Sequence, residues 1–135
     1  MKIDPVSVPG RPRPSGYSDG MLVSGPARML FVAGQIGWND QGKLVSADFV
    51  AQFRRALENA LAVVRAAGGG PESVMRLTLY VVDKREYAAR LREIGDAYRA
   101  VMGRAYPAMS LIPVPDLLEP GARVEIEATA ALPAP

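Results

Sequence analysis

Residues 106–130 read YPAMSLIPVPDLLEPGARVEIEATA, in which two apolar stretches flank a connection rich in proline. In the second stretch, the apolar residues at positions 124, 126 and 128 alternate with Glu125 and Glu127. This period of two predicts a β-strand with one buried face. The two carboxylates therefore share the other face, about 7 Å apart, too far to share a proton directly.

The composition describes one ordinary globular domain. The chain has 135 residues, of which 22% are charged and 49% hydrophobic, and a formal net charge of +2. This length suits a single core, and this charge is too small to indicate a nucleic-acid partner. The sequence contains neither cysteine nor histidine, which excludes disulfides, thiol nucleophiles, imidazole bases and most zinc sites. We expect no metal ion and no cofactor, so any catalysis would use carboxylates, hydroxyls, cationic side chains, backbone amides or bound water.

The N-terminal segment, residues 1–16, contains four of the twelve prolines and no periodic pattern. We interpret it as an extended arm, followed by one folded domain at residues 17–135. Arg11 and Arg13 are too few charges for an arm that binds nucleic acid. The segment lacks the apolar stretch of a signal peptide, and no run in the chain is long enough for a transmembrane helix. We therefore predict a cytoplasmic protein with no membrane partner.

Apolar periodicity predicts two helices and several strands. Strands are expected at residues 21–23 and 28–36, joined as a hairpin, and at 74–82, 108–114 and 124–131. The first helix begins at Ser46 as its N-cap and ends at the glycines 68–70, and the second runs from Asp83 to Gly103. This order indicates an α+β domain, a mixed β-sheet with two helices on one face. Because the strands are apolar on both sides, the other face of the sheet needs a partner, which predicts an oligomer.

Gly34 stands near the end of the second predicted strand. It leaves bare backbone beside Gln35 and Trp38, where a ligand or another chain can approach closely. A glycine that serves only the curvature of the sheet is the alternative.

Four segments together resemble the RidA/YjgF family of small deaminase-like proteins. They are GYS at residues 16–18, FVAGQIGW at 31–38, PAMS at 107–110 and LLEPGA-x-VEIEA at 117–128. The resemblance extends from residue 17 to residue 131, nearly the whole chain. It implies a chorismate-mutase-like fold, a homotrimer with clefts between subunits, and a small-molecule ligand bound in each cleft.

The resemblance also implies which residues line that cleft. Its catalytic residue would be Glu125, and its substrate-binding residues would be Tyr17, Gly34, Gln35, Trp38, Met109 and Leu111. In relatives that deaminate 2-imino acids, an arginine at the position of Met109 binds the substrate carboxylate, and a glutamate at the position of Glu125 helps to place the attacking water. Methionine has neither charge nor donor, so an α-carboxylate would lose charge-assisted hydrogen bonds of roughly 1.5 to 3 kcal/mol each.

Two further departures make the expected cleft less polar. Leu111 replaces the family's cysteine, and Gly95 replaces an asparagine of its helix motif. Arg76 and Arg123 are candidates for a substitute arginine, although nothing in the sequence orients either one toward the cleft. The same two arginines could instead form ion pairs with Glu125 and Glu127 within the sheet, which would leave the carboxylates structural.

These residues leave two function classes open. The first is a hydrolase or deaminase that acts on an enamine, an imine or a related metabolite recognised without an α-carboxylate, with Glu125 assisting the attack of water. The second is a non-catalytic trimeric protein that binds an apolar or aromatic metabolite in the same cleft. RNA cleavage has little support, because no basic stripe interleaved with aromatic residues is present.

Overall fold

The computed structural model describes residues 1–135 and contains six strands and three α-helices. In chain order they are β1 (Lys2–Val6), β2 (Gly20–Ser24), β3 (Ala27–Gln35), α1 (Phe49–Ala66), β4 (Val74–Val81), α2 (Lys84–Ala89), α3 (Leu91–Met102), β5 (Ala108–Pro113) and β6 (Val124–Pro133). None of the three helices is both long and apolar enough to cross a membrane.

The main sheet has four strands in the order β3-β6-β4-β5. β6 is antiparallel to both of its neighbours, whereas β4 and β5 are parallel, so the sheet is mixed. Helices α1 and α3 pack against each other, and their apolar residues share one core with the sheet, including Phe53, Leu57, Leu77 and Ile126. This architecture confirms the predicted α+β class with helices on one face of a mixed sheet.

The predicted hairpin between the first two strands is wrong. β2 pairs with β1 in a separate two-stranded ribbon, and β3 pairs with β6 at the edge of the main sheet. β1 lies within the segment that the sequence predicted as an extended arm, and Pro5 occupies one of its positions. Proline has no N–H to donate to a β-ladder, but it is tolerated in an edge strand. The prolines of this segment therefore concealed a strand in the sequence, although the two-stranded ribbon has room for Pro5.

The second predicted helix is divided in two at Arg90. The backbone of Arg90 leaves the helical region, with φ of −129° and ψ of 34°, and separates α2 from α3. Its guanidinium donates to Glu93 in the first turn of α3 and to Asp48 at the start of α1. Arg90 therefore joins the beginnings of the two long helices.

Asp48, and not the predicted Ser46, is the N-cap of α1. Its carboxylate accepts a hydrogen bond from the backbone N–H of Ala51 at 3.0 Å, while Ser46 Oγ accepts one from the N–H of Asp48 itself. The hydrogen bond from Arg90, the cap bond and the positive charge of Arg90 hold the pKa of Asp48 below its usual value of 3.8.

We expect Asp48→Ala to lower the free energy of unfolding by about 1 kcal/mol at pH 7, because the helix loses its cap acceptor. The depressed pKa means that ionised Asp48 stabilises the fold above about pH 4, and this contribution is lost as the pH falls through the folded-state value. Urea unfolding at pH 7 and at pH 3 should therefore show a smaller gap between mutant and wild type at pH 3. Asp19→Asn, at an exposed aspartate without an ion pair, is the control; an unchanged gap at pH 3 would contradict the role of the charge.

Candidate functional site

β6 directs two sets of side chains to opposite faces of the main sheet. Val124, Ile126 and Ala128 are buried beneath the helices, so Glu125 and Glu127 lie on the other side. We call that side the helix-free face. It also carries Met29 and Phe31 of β3 and Arg76, Thr78 and Tyr80 of β4.

Glu125 lies directly across Gly34. A Cβ atom built on Gly34 would be 2.1 Å from Glu125 Oε1 and 2.8 Å from its Cδ, closer than non-bonded atoms approach. The β3–β6 register is also irregular between Val32 and Gln35, on either side of this glycine. The sheet is irregular at Gly34, and the bare backbone makes room for the side chain of Glu125 in the same chain; approach of a ligand or of another chain to Gly34 stays a prediction.

Glu125 and Glu127 do not form the ion pairs with Arg76 or Arg123 that the sequence suggested as an alternative. Glu127 Oε1 accepts a hydrogen bond from the Tyr80 hydroxyl at 2.8 Å, and this bond raises the pKa of Tyr80. Arg123 donates instead to both oxygens of Glu86 at 2.7 Å, and Arg76 has no carboxylate partner. Glu125, which is half-buried, has neither a hydrogen bond nor an ion pair.

Met109 and Leu111 face the helices, on the opposite side of the sheet from Glu125. In the parallel pairing of β4 with β5, Met109 lies opposite Leu77 and Leu111 opposite Leu79, and both leucines belong to the core. Within a single chain, the structure therefore brings Glu125 to Gly34 but does not bring Met109 or Leu111 to either of them.

A cavity of about 340 Å³ opens where Met109 meets α3, and we call it the Met109 cavity. Gly95 also lines it, so two of the three positions at which the sequence departs from the family pattern share one cavity. The complete lining comprises Ser15, Gly16, Phe53, Leu79, Tyr87, Leu91, Ile94, Gly95, Tyr98, Arg99, Tyr106 and Met109.

The aromatic walls of the Met109 cavity are neutral. Tyr98 and Tyr106 stack with ring centroids 5.5 Å apart and an interplanar angle of 10°. The Tyr98 hydroxyl donates to the carbonyl oxygen of Ala105. Burial raises the pKa of both Tyr98 and Tyr87, so each keeps its hydroxyl proton at neutral pH.

The remaining predicted site residues, Tyr17, Gln35 and Trp38, lie in three places. Tyr17 is partly exposed and directly follows Ser15 and Gly16, which line the Met109 cavity. The next residue, Ser18, holds this segment in place: its hydroxyl donates to the carbonyl of Tyr106 and its backbone N–H donates to that of Pro107. Gln35 pairs with Ile126 of β6 in the sheet, and its side-chain amide donates to the carbonyl of Ala33 on its own strand.

Trp38 belongs to a loop that packs against α1. Its carbonyl oxygen accepts hydrogen bonds from Arg55 and Asn59 of that helix, and its backbone bridges to Leu44. The indole is partly exposed, and it does not line the Met109 cavity.

Sequence reasoning missed Arg99 as a residue of the cavity. Arg99 is exposed on α3, and its side chain also lies over Gly95 and lines the Met109 cavity. The signal that could have found it is the spacing of four residues, which places Arg99 one helical turn after the unusual glycine. The protein has no group of three or more acidic side chains arranged to hold a metal ion.

Comparison with known proteins gives this geometry a context. Residues 11–132 match the model of the family described as Endoribonuclease L-PSP. A RutC family protein of Pyrococcus horikoshii is 32% identical over 120 residues, which cover 88% of this chain and 90% of the relative. A goat (Capra hircus) protein named 2-iminobutanoate/2-iminopropanoate deaminase is 31% identical over 115 residues, covering 84% and 78% respectively. The chain belongs to the RidA/YjgF family.

Solved structures of RidA/YjgF proteins share the fold. A Rid family protein of unknown function from Yersinia pestis superposes with a TM-score of 0.84 at 36% identity, covering 98% of this chain and all of that one. Escherichia coli TdcF, solved with bound serine, gives a TM-score of 0.68 at 28% identity and covers 96% and 99%. These likenesses confirm the chorismate-mutase-like fold that the resemblance implied.

The contact between Gly34 and Glu125 predicts an energetic coupling that a double-mutant cycle would measure. Gly34→Ala should destabilise the protein, because its methyl group would displace the whole Glu125 side chain. In a Glu125→Ala background the same change should cost about 1 kcal/mol less, since the clash is gone. Urea unfolding of the four variants at one protein concentration gives the coupling. Gly20→Ala, where a Cβ finds only an ordinary contact at 3.7 Å, is the control, and a coupling near zero at Gly34 would refute the contact.

Proposed function

We propose that this RidA/YjgF protein hydrolyses a small imine or enamine in a cleft between subunits, with Glu125 as its catalytic carboxylate. The observation that supports this most directly is a half-buried carboxylate with no partner, lying across a backbone that glycine leaves bare. Relatives from goat and human carry the name 2-iminobutanoate/2-iminopropanoate deaminase, which supports imine chemistry at the level of the family.

The chemistry requires one water and one group that moves a proton. Glu125 accepts a proton from water as the oxygen attacks the carbon of the C=N bond. It returns that proton to the nitrogen, which gives a carbinolamine. Glu125 then takes the hydroxyl proton of the carbinolamine and delivers it to the nitrogen as the C–N bond breaks, so that ammonia and a carbonyl compound leave. A carboxylate that has neither a hydrogen bond nor an ion pair is free to accept the proton, which is the property that general base catalysis needs. Glu127 is less suited, because the Tyr80 hydroxyl occupies one of its oxygens.

A cleft between subunits would reunite the two parts of the site. Glu125 and Met109 lie on opposite faces of one sheet, so a ligand that touches both would need them from different chains. The helix-free face supports such an assembly, because Phe31 is 77% exposed and Met29 is 51% exposed on it. Large apolar side chains that form an exposed patch are typical of protein interfaces. We propose that the assembly is a homotrimer.

Met109 limits which imine the cleft would take. It supplies no charge and no hydrogen-bond donor, and its neighbours in the core are apolar. We therefore propose that the substrate is not held through an α-carboxylate at this position and that the protein is an inefficient 2-iminopropanoate deaminase. The apolar lining of the Met109 cavity also favours a second candidate function, a non-catalytic trimeric protein that binds a metabolite.

Substitution of Glu125 separates these two functions. Imines generated in situ by amine oxidation would be offered as substrates, and release of the carbonyl product would be followed with and without the protein. We expect Glu125→Gln to reduce the protein-dependent rate by about 10² to 10⁴, because the amide cannot accept the proton. Glu127→Gln, a neighbour on the same face, should keep most of the rate. A wild-type protein that binds ligand but accelerates no imine, or a Glu125→Gln variant of undiminished rate, would favour the binding function.

A site shared between subunits predicts complementation between two inactive variants. Light scattering should first give about three times the chain mass of 14.4 kDa. Glu125→Gln removes the carboxylate, and Gly95→Trp fills the Met109 cavity of its own chain. In trimers assembled from an equal mixture, each cleft takes its carboxylate from one chain and its cavity from the next. About half of the chains carry an intact carboxylate and the other half an intact cavity, so about a quarter of the clefts, and of the wild-type rate, should be restored. A mixture as inactive as its parents, or a monomeric mass, would contradict the shared cleft.

A further inference from the structure

Arg99 is the one charged side chain among the residues that line the Met109 cavity. The other lining residues are apolar or uncharged, and four of them are aromatic: Phe53, Tyr87, Tyr98 and Tyr106. The volume of about 340 Å³ lies near the lower end of the range for small-molecule sites, about 300 to 1,000 Å³. The cavity thus combines a small apolar space with a single positive charge.

Gly95 allows Arg99 to lie where it does. A Cβ atom at Gly95 would be 3.2 Å from Nη1 and 3.5 Å from Nη2 of Arg99, so the guanidinium rests on the backbone of α3 at this glycine. Glycine in the interior of a helix is unfavourable relative to alanine. A side chain at this position would require the exposed guanidinium to shift by a few tenths of an ångström, so glycine leaves free the space that Arg99 occupies.

The guanidinium retains donors for a ligand. Nη2 of Arg99 donates to Asp96 Oδ1 at 2.7 Å, and this pair is exposed, with 55% of the arginine side chain and 67% of the aspartate side chain accessible. Nη1 and Nε have no partner in the protein. Because a guanidinium carries five N–H groups in a planar fork, Arg99 can bind a carboxylate while it keeps its bond to Asp96.

We infer that the Met109 cavity binds a small carboxylate with an apolar or aromatic body, and that Arg99 pairs with its carboxylate. The body would lie against Met109 and the stacked rings of Tyr98 and Tyr106. Within one chain, neither arginine that the sequence suggested lines the Met109 cavity, because Arg123 is paired with Glu86 and Arg76 lies on the helix-free face. The cationic group for an acidic ligand is then on α3 and not on β5.

This assignment names the substrate class of the proposed imine site, and for its chemistry it rests on the proposed function. The carboxylate of such a substrate is separated from the reacting carbon by an apolar or aromatic spacer, in contrast to a 2-imino acid. The binding step, however, needs only the cavity and Arg99, so it is measurable without turnover.

The test compares a charged and a neutral version of the same probe molecule. Calorimetry would compare 3-phenylpropanoate with 3-phenylpropanamide, which has the same body and no charge. We expect the wild-type protein to prefer the carboxylate by at least about tenfold, as charge-assisted hydrogen bonds are stronger than neutral ones. Arg99→Gln should remove this preference. Asp96→Asn should instead strengthen carboxylate binding several-fold, because it removes a competing negative charge next to the guanidinium.

Arg92→Gln is the matched control, since Arg92 is an exposed arginine of the same helix that does not line the cavity. It should keep the wild-type preference. Equal affinities of the wild type for the two probes, absence of binding of both, or a preference that survives Arg99→Gln would each overturn the inference. Circular dichroism of every variant would confirm that the helix is retained.

The outcome is distinguishable from failure of the proposed function. A carboxylate preference that depends on Arg99, together with turnover that is insensitive to Glu125→Gln, would uphold the ligand class and reject the catalytic role of Glu125. Turnover that depends on Glu125, without any carboxylate preference, would reject the ligand class alone.

Discussion

The alternation of side chains along β6 is the constraint on which the rest of the structure depends. β6 is paired on both sides, with β3 and with β4, so every second residue enters the core and every other one meets the opposite face. Burial of Val124 and Ile126 beneath the helices fixes the register, because a shift by one residue would move Glu125 and Glu127 into the core without partners. The position of Glu125 over Gly34 follows from that register.

The same alternation divides the candidate site. Each side chain of the main sheet lies either on the side of the helices or on the helix-free face. Met109 and Glu125 lie on different sides, so the backbone of the sheet separates them. A second copy of the chain is the simplest way to bring both kinds of residue to one ligand. In the proposed trimer, the exposed Phe31 on the helix-free face and the Met109 cavity beneath α3 would belong to facing surfaces of neighbouring chains.

Ion pairs and hydrogen bonds show which polar groups the fold has already used. Asp48 is held by Arg90, Arg123 by Glu86 and Glu127 by Tyr80, and each of these contacts joins different elements. Glu125 is left without a partner, and Arg99 keeps free donors beyond its exposed pair with Asp96. This carboxylate and this guanidinium each lie next to a glycine, and in the proposed site they would be the groups that contact the ligand.

The local features were predictable from the sequence: the apolar stripes that form α1 and α3, the alternation of β6, and the motifs that place the chain in its family. These features depend on neighbours in sequence, and a period of two or of 3.6 states which residues are buried. Tertiary structure alone decided that β2 pairs with β1, that α2 and α3 separate at Arg90, and that Gly95 and Arg99 share a cavity with Met109. Those outcomes depend on which distant segments compete for the same backbone bonds and the same space, and no local pattern records that competition.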